Sequence, residues 1–414
     1  MSDKENKSFW KRITAILMST FLAFSHGGSG AAAAKMITDT NVKAAAVATM
    51  NIEESKNFIT ISRNYSGYRD VGDRIISLKD LLSVPVGEEV CDTMVPQGLA
   101  IKDGLILVTC YDGIAGYKNE LSLHSYRKEL KQKLEEEGKH DPHNSVIAII
   151  DENTKELLTT IELPDKNHVG GIALDDNNAY IAKSADKNIS VISLDRIREA
   201  ARKGREEGIK TTKLDYDYDM DCGVDASFVS MRENKNGEKQ LVVGTWVPFP
   251  GVSKLSIFDF GDNQNLIPNQ SMTINSSANG ATFVRRGDEE YLIVACSLGR
   301  RLDSNIYVYN VDEAENGKLD LSFKSQMQLP PMVEEVVEFE EDGERKLAVG
   351  TEAFTKRYEI GKSNVIPDGI MVTKLDKLLD RQGKTKRIPF DVMTDVYKEE
   401  EVVVKRREDD EKDR

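Results

Sequence analysis

Residues 143–174, HNSVIAIIDENTKELLTTIELPDKNHVGGIAL, contain the pattern that decides the fold of this chain. An alternating, β-branched run, Ser145–Asp151, ends at a polar turn, and a second run follows at Leu157–Leu163. A third begins at Gly170 and Gly171 and continues into apolar residues. Runs of this length, rich in Ile, Val and Thr and separated by Asp, Asn and Gly, predict short β-strands joined by tight turns.

The start of the last of these strands recurs along the chain. Five short segments each begin with a polar residue or glycine, turn apolar at once and are followed by two further β-rich runs. Their second residues are 73, 55, 54 and 55 positions apart. The segments are Gln97–Ile101, Gly170–Leu174, Asp225–Val229, Asn279–Phe283 and Glu334–Glu338. So regular a period is typical of a repeat array.

This repeat predicts an all-β fold, a β-propeller of five four-stranded blades. A parallel α/β sheet would need a helix after each strand, and no helical pattern is expected inside the repeats. The helix-forming, charged stretch Lys118–Gly138 lengthens the first interval and predicts a helical insertion in the first blade. Six blades are the alternative, because β-like pieces at Phe58–Ser62 and Arg74–Leu78 could form a further blade or close the ring.

The two ends of the chain differ from the repeats. Residues 1–34 combine a basic start, an apolar run and small residues, which predicts a cleaved secretory signal peptide. We expect residues 35–94 to form an N-terminal extension with ring-closing strands, residues 95–390 the propeller and residues 391–414 a charged tail. The protein is therefore expected to be secreted, without a stable membrane span, or tethered outside the membrane if the signal is not cleaved.

Charge and cysteine usage limit the partners and the chemistry. The net charge of −14 argues against nucleic acid, whose phosphates an acidic surface repels, and we expect a monomer. The four cysteines could form two disulfides or remain four buried thiols, and their spacing does not decide between these. They are Cys91, Cys110, Cys222 and Cys296, and none belongs to a C-x-x-C pair.

The stretch 143–174 resembles the repeats of secreted bacterial β-propeller proteins of the YVTN type. In those repeats a strand ending in Asp precedes a Thr-Lys or Thr-Gly turn, a Val-Ile-Leu-Pro strand and a Gly-Ile-Ala inner strand. The similarity covers about residues 95–380 and is strongest over Pro96–Asp175 and Pro330–Glu335. The Tyr-Val-Thr-Asn tetrad is absent here, and the period is longer than the usual repeat of about forty residues. The resemblance implies an exported, mostly uncharacterised propeller and supplies no catalytic residue.

The repeat register predicts a binding site at one end of the central channel, where all inner strands begin. We call this end the channel mouth. A ring of carboxylates, amides, one histidine, one arginine and one tryptophan there would suit a small polar ligand, such as a sugar or peptide, or an envelope protein. The candidate residues are Gln97, Tyr111, Asp112, His168, Asp225, Trp246, Asn279, Arg300, Glu334 and Glu335, with Arg301 and Glu352 beside them.

Binding is favoured over catalysis, since no G-x-S-x-G, Walker, dinucleotide or H-E-x-x-H motif is present. The alternative is a hydrolase or lyase that uses channel carboxylates as general acid and base. Asp225 with Glu334 or Glu335 would be the pair.

No metal or other cofactor is assigned from the sequence. His140 and His143, in the loop GKHDPHNS, could ligate a metal but are expected to be solvated. A tract of alternating carboxylates could collect Ca²⁺ through Asp215, Asp217, Asp219 and Asp221. An edge strand with Tyr inward and Asp in water is the favoured interpretation of this tract.

Overall fold

The computed structural model describes residues 52–113, 142–184, 187–300, 302–355, 358 and 366–383. The predicted signal peptide, the predicted helical insertion at Lys118–Gly138 and the predicted C-terminal tail lie outside these ranges, as do His140 and Arg301. Every helix in the described ranges is too short or too polar to cross a bilayer.

The described chain begins with two helices and three short strands. They are α1 (Ile52–Asn64), α2 (Ser66–Val71), β1 (Gly72–Ser77), β2 (Val84–Val86) and β3 (Glu89–Cys91). The β-like interpretation of Phe58–Ser62 was wrong, because these residues lie inside α1. Phe58, Ile61, Tyr65 and Tyr68 all pack in one core cluster, and their spacing of three and four residues is helical.

Four strands of each repeat unit form an antiparallel sheet in which neighbours in the sheet are mostly neighbours in sequence. Blade 1 contains β4 (Met94–Lys102), β5 (Leu105–Asp112), β6 (Val146–Asp151) and β7 (Leu157–Glu162). Blade 2 begins with β8 (Gly171–Leu174), β9 (Asn178–Ala182) and β10 (Asn188–Ser193).

A helix interrupts blade 2, contrary to the expectation of helix-free repeats. Helix α3 (Leu194–Glu207) follows β10, with Ser193 as its N-cap and Gly208 in the left-handed conformation at its end. Its buried face packs against β7 of blade 1. The chain then adds β11 (Thr211–Lys213) parallel to β7, so that blade 1 has a fifth strand.

The alternating Asp tract supplies the outer strand of blade 2, β12 (Tyr218–Asp221), as the favoured interpretation predicted. Met220 is buried and Asp219 is exposed. Just before the strand, Asp217 accepts hydrogen bonds from the Ser193 backbone and from Arg196. Calcium binding at this tract stays a prediction.

Blades 3 and 4 are uninterrupted meanders. Blade 3 contains β13 (Phe228–Glu233), β14 (Lys239–Thr245), β15 (Ser253–Phe260) and β16 (Leu266–Ile274). Blade 4 contains β17 (Ala278–Arg286), β18 (Glu289–Cys296), β19 (Ser304–Glu313) and β20 (Leu319–Leu329).

Blade 5 is completed by a strand from the N-terminal extension. Its own strands are β21 (Val333–Glu341), β22 (Glu344–Thr351) and β23 (Gly369–Lys374), followed by the short helix α4 (Leu375–Leu379). Strand β1 pairs antiparallel with β23 and becomes the outer strand. The fold is therefore a ring of five blades, and the interpretation of Arg74–Leu78 as ring-closing is confirmed.

The hydrophobic core lies between the blades. Each of five clusters of buried residues combines side chains from neighbouring sheets, for example Ile293 of blade 4 with Val349 of blade 5. All four cysteines are buried free thiols.

Replacing Gly369 with Ala tests ring closure, because an added Cβ would lie 2.0 Å from the Ile76 carbonyl oxygen of β1. We expect Gly369→Ala to lower the free energy of unfolding by about 1–3 kcal/mol, the cost of overpacking a tight contact. Urea unfolding measures the loss. Gly383→Ala is the matched control, since an added Cβ there meets nothing within 4 Å. Equal midpoints for both variants would contradict the assigned pairing.

Candidate functional site

Glycines narrow the channel near the mouth. A Cβ on Gly98 would lie 2.6 Å from backbone atoms of Gly171, and one on Gly171 would lie 2.7 Å from the backbone nitrogen of Val229. A Cβ on Gly280 would lie 2.3 Å from the Glu335 carboxylate. At these glycines the inner strands of neighbouring blades are therefore in direct contact, and a side chain on the glycine would not fit.

Below this constriction the channel widens into a cavity of about 330 Å³. All five inner strands line it, mostly with apolar side chains. One lining residue from each blade is Leu99, Ala173, Val229, Phe283 and Val337. The lining continues to Lys102, the last residue of β4, and to Glu338 in the second half of β21, and both side chains are partly exposed. The cavity therefore opens at the end of the channel opposite the mouth.

Glu335 lies in the cavity wall and is only 2% exposed. Its Oε1 accepts hydrogen bonds from the backbone N–H groups of Val336, at 3.0 Å, and Ala281. Its Oε2 is buried with no hydrogen-bond partner among the described residues. Burial raises the pKa of this carboxyl well above its usual range, which favours the neutral acid over the carboxylate. The proton belongs on Oε2, because both backbone donors point at Oε1.

Ser230 is a second polar group in the same wall. Its Oγ is also buried and has no partner among the residues that the structure describes. Two unsatisfied, buried polar atoms in a mostly apolar wall are costly unless something hydrogen-bonds to them.

β-Bulges separate the residues of the mouth from those of the channel. The pairing of inner and second strands shifts between Pro96 and Leu99, between Ala278 and Gly280, and between Val333 and Val336. A bulge places two residues of one strand opposite one residue of its partner and redirects a side chain. Glu334 therefore belongs to the mouth, while the adjacent Glu335 lines the cavity.

Four predicted or neighbouring mouth residues form one hydrogen-bonded cluster. Gln97 Nε2 donates to Glu352 Oε2 at 2.7 Å, and the Glu352 and Glu334 carboxyl groups share a hydrogen bond. Asn279 Nδ2 donates to the Val333 carbonyl at 3.0 Å and also contacts Glu334. Loss of solvent, and then the neighbouring Glu352 carboxylate, raises the pKa of Glu334 well above its usual range. One proton is therefore shared within this pair.

Described residues that follow β22 contact two other parts of the ring. Ala353, Phe354 and Thr355 are buried, and Tyr358 packs against the cluster between blades 1 and 2. The ring of Tyr358 also lies 4.7 Å from the guanidinium of Arg300, which follows the second strand of blade 4. Tyr358 thus contacts both blade 4 and the cluster between blades 1 and 2.

The other predicted mouth residues lie in separate groups. The rings of Tyr111 and His168 are 4.3 Å apart, and His168 Nδ1 is 2.9 Å from Ser184 Oγ. Asp225 and Trp246 lie at the blade 3 side, where Asp225 is exposed and Trp246 is 40% exposed. The channel cavity described above is lined by Glu335 but by none of the other nine predicted residues.

Asp112 belongs to a further group around His143. His143 Nδ1 lies 3.0 Å from Asp112 Oδ2, and His143 Nε2 lies 3.0 Å from Glu89 Oε2. Partial burial alone would lower the pKa of His143, but the hydrogen bonds to both carboxylates outweigh it and raise the pKa. The expectation of a solvated His143 was therefore wrong.

Catalysis by Asp225 with Glu334 or Glu335 stays a prediction, and the carboxyl group that directly contacts Glu334 is that of Glu352. Glu334 contacts Glu352, whereas a glycosidase needs its two carboxyl groups about 5–5.5 or 6.5–9.5 Å apart. A directly hydrogen-bonded pair leaves no space for a sugar between its members.

The comparisons with known proteins leave the activity open. No protein-family model matches this chain, and no curated protein sequence matches it. The resemblance to YVTN-type propellers therefore rests on the sequence pattern alone.

Several solved structures are similar at low identity. An α-L-arabinofuranosidase from Clostridium thermocellum is 10% identical over 70% of this chain and 91% of that chain, with a TM-score of 0.37. A β-fructofuranosidase from Bombyx mori is 11% identical over 78% of this chain and 65% of that chain, with a TM-score of 0.37. The hydrazine synthase of Kuenenia stuttgartiensis is 11% identical over 62% of this chain and 65% of that chain, with a TM-score of 0.32. This chain thus spans 65% of the length of the latter two, and similarity this low transfers no activity or ligand.

The raised pKa of Glu335 makes stability depend on pH. In the unfolded chain a Glu ionises near pH 4.3, whereas the folded protein holds this proton to higher pH. The folded state therefore binds more protons above about pH 4.3, and the free energy of unfolding falls as pH rises from there to the folded pKa. The contribution of one group is up to about 1.4 kcal/mol per pH unit.

We expect Glu335→Gln to remove this contribution and to make the decline shallower as the pH rises above about 4.3. Urea unfolding at several pH values measures the slope. Glu340→Gln, an exposed position on the same strand, is the control and should keep the wild-type slope. Identical slopes for Glu335→Gln and the wild type would show that Glu335 is not a buried neutral acid.

Proposed function

We propose that this protein binds a small, neutral ligand inside the central channel. The ligand would have an apolar body and one hydroxyl or carbonyl group. The observation that carries the proposal is the unpartnered, buried Oε2 of Glu335 in the wall of an apolar cavity. The N-terminal sequence supports a site of action outside the cytoplasmic membrane.

The chemistry of the wall favours a neutral ligand. Because Glu335 carries its proton on Oε2, it offers a hydrogen-bond donor to an acceptor oxygen. A ligand anion would have to lose its hydration among mostly aliphatic side chains, and the cation of the lining, Lys102, is partly exposed and already paired with Asp176. A ligand cation would require Glu335 to ionise, and a buried ion pair regains little of its desolvation cost.

The size of the cavity limits the ligand. A volume of about 330 Å³ lies at the lower end of the range for ligand pockets, roughly 300–1,000 Å³, and equals the space of about ten water molecules. The wall contributes one aromatic ring, Phe283, and many aliphatic groups. This composition favours an aliphatic or single-ring ligand over an oligosaccharide, which would need several aromatic platforms and polar partners.

The channel is a better candidate than the mouth. At the mouth, Glu352 already hydrogen-bonds to both Gln97 and Glu334. In the cavity, by contrast, Glu335 Oε2 and Ser230 Oγ have no hydrogen-bond partner among the described residues.

Four ring compounds of similar size test the proposal: cyclohexanol, cyclohexanone, cyclohexylamine and cyclohexanecarboxylate at neutral pH. We expect the alcohol and the ketone to bind and the two ions to bind at least tenfold more weakly. Glu335→Leu should weaken binding of the alcohol two- to tenfold, the effect of one net hydrogen bond of about 0.5–1.5 kcal/mol. Glu335→Gln should retain binding, because its amide still offers a donor. Calorimetry or ligand-observed NMR measures the affinities.

Two further variants locate the site. Ala173→Phe would fill the cavity and should abolish binding, while Gln97→Ala, at the mouth, should leave the affinity unchanged. Thermal unfolding of each variant checks that the fold is retained. Loss of binding in Gln97→Ala but not in Ala173→Phe would place the ligand at the mouth and overturn the channel proposal.

A further inference from the structure

We propose that Cys91, Asp112 and His143 form a binding site for a zinc ion. This site is separate from the channel cavity and independent of the ligand proposed there. It lies where the β2–β3 hairpin of the N-terminal extension meets blade 1. No motif in the sequence marks it, because the three residues are 21 and 31 positions apart.

The three donor atoms converge in space. Cys91 Sγ, an Asp112 carboxylate oxygen and a His143 ring nitrogen all lie within 4.8 Å of one another. Cys91 is 2% exposed and Asp112 is 1% exposed, while His143 is partly exposed. Ligands at about 2.0–2.3 Å from a common zinc ion would have separations below this limit, so small side-chain movements suffice.

Each donor comes from a different, well-anchored segment. Cys91 ends strand β3, which pairs with β2 through Val84. Asp112 ends strand β5 and pairs with Met94. The backbone N–H of His143 donates to Asp112 Oδ2 at 2.9 Å, which holds the start of the next segment against that carboxylate. The donors are thus positioned before any metal binds.

The surroundings of the donors match those of a metal site. A metal-bound histidine usually donates its other ring N–H to a carboxylate, which fixes the ring and its tautomer. Here His143 Nδ1 faces Asp112 while Nε2 lies 3.0 Å from Glu89 Oε2. Thr93 Oγ1 donates to Asp112 Oδ1 at 2.7 Å and lies 3.3 Å from Cys91 Sγ. Nδ1 would be the ligand atom, and Glu89 and Thr93 would be positioning residues.

The donor set selects the metal. One sulfur, one nitrogen and one oxygen suit Zn²⁺, whereas Ca²⁺ and Mg²⁺ prefer oxygen ligands alone. Three protein ligands leave one tetrahedral position for water, and the partly exposed His143 gives solvent access to it.

Zn²⁺ binding at this site releases protons from the ligands to solvent. Burial, and then the neighbouring Asp112 carboxylate, raises the pKa of the Cys91 thiol to about 11, so the free protein carries a thiol. Zn²⁺ replaces the thiol proton, which passes to solvent, and forms the Zn–S bond. His143 binds as the neutral imidazole that keeps its Nε2 proton, and any proton on Nδ1 also leaves to solvent. The Asp112 carboxylate exchanges its contact with His143 for the metal.

The experiment uses the full-length protein, purified with a chelator under a non-thiol reductant and then titrated with Co²⁺ and Zn²⁺. We expect one equivalent of Co²⁺ to produce a sulfur-to-cobalt charge-transfer band and the visible d–d bands of a tetrahedral site. Zn²⁺ should displace the cobalt and remove both. Thermal unfolding should shift upward with Zn²⁺ concentration, because the ion binds the folded state.

Variants separate the site from adventitious binding. Cys91→Ser should abolish the charge-transfer band, and His143→Gln should weaken Zn²⁺ binding at least tenfold. Glu89→Gln should keep the band but weaken binding about 10- to 100-fold, as expected of a positioning residue. Cys296→Ser, a buried thiol of blade 4, should behave like the wild type.

Three results would overturn the proposal. They are the absence of the charge-transfer band, a band that survives Cys91→Ser, and metal binding with no stoichiometric end point. Should Cys91→Ser be unstable, Glu89→Gln and His143→Gln decide the question, since both change partly exposed side chains.

Discussion

Antiparallel pairing between Gly72–Ser77 and Gly369–Lys374 is the constraint on which the rest of the structure depends. Blade 5 supplies only three strands of its own, and the fourth, outer strand comes from the other end of the domain. Two ion pairs reinforce the junction: Asp73 contacts Lys346 at 3.2 Å, and Arg74 contacts Glu341. The closing strand and its partner are separated in sequence by almost the whole propeller. Blade 5 can therefore be completed during folding only when two segments that are far apart in sequence come together.

The channel derives both its shape and its chemistry from the close approach of the inner strands. Gly280 has no side chain, and Glu335 fills the space that its Cβ would occupy. This contact lets Glu335 Oε1 reach the Ala281 N–H and leaves Oε2 for the cavity. The energetic cost of burying the carboxyl is reduced by protonation and by the two backbone hydrogen bonds. One glycine therefore positions the polar group on which the proposed ligand site rests.

The sequence predicted the five-bladed ring because inner strands leave a strong periodic signal, a glycine or polar residue followed by apolar residues. It did not predict helix α3, because the charged sequence of this segment is also typical of a solvated loop. In the structure Ile197, Ala200 and Ala201 form the buried face of the helix and pack on blade 1. Residues 58–62 were interpreted as β-like because they are mostly apolar. The spacing of three and four residues between the apolar side chains of this region is helical, and the residues lie in α1.

The site was harder to predict than the fold. Register alone placed Glu334 and Glu335 together at the mouth, but a one-residue bulge sends the second into the channel. The sequence did not indicate a role for Ser230, because a serine in a strand that faces the channel cannot be distinguished by sequence from one that faces solvent. The group of Cys91, Asp112 and His143 depends on contacts between segments far apart in sequence, which spacing cannot reveal.

Strand β11 has a consequence for how such a protein could have been assembled from copies of one unit. The chain leaves blade 2 after β10, adds β11 to the edge of blade 1 and only then returns to lay down β12. Blades 1 and 2 are thus interlaced, whereas blades 3 and 4 are each a continuous piece of chain. A recombination event could exchange blade 3 or blade 4 as a module, but a cut between blades 1 and 2 would damage both. The evolutionary unit at this side of the ring is therefore a pair of blades.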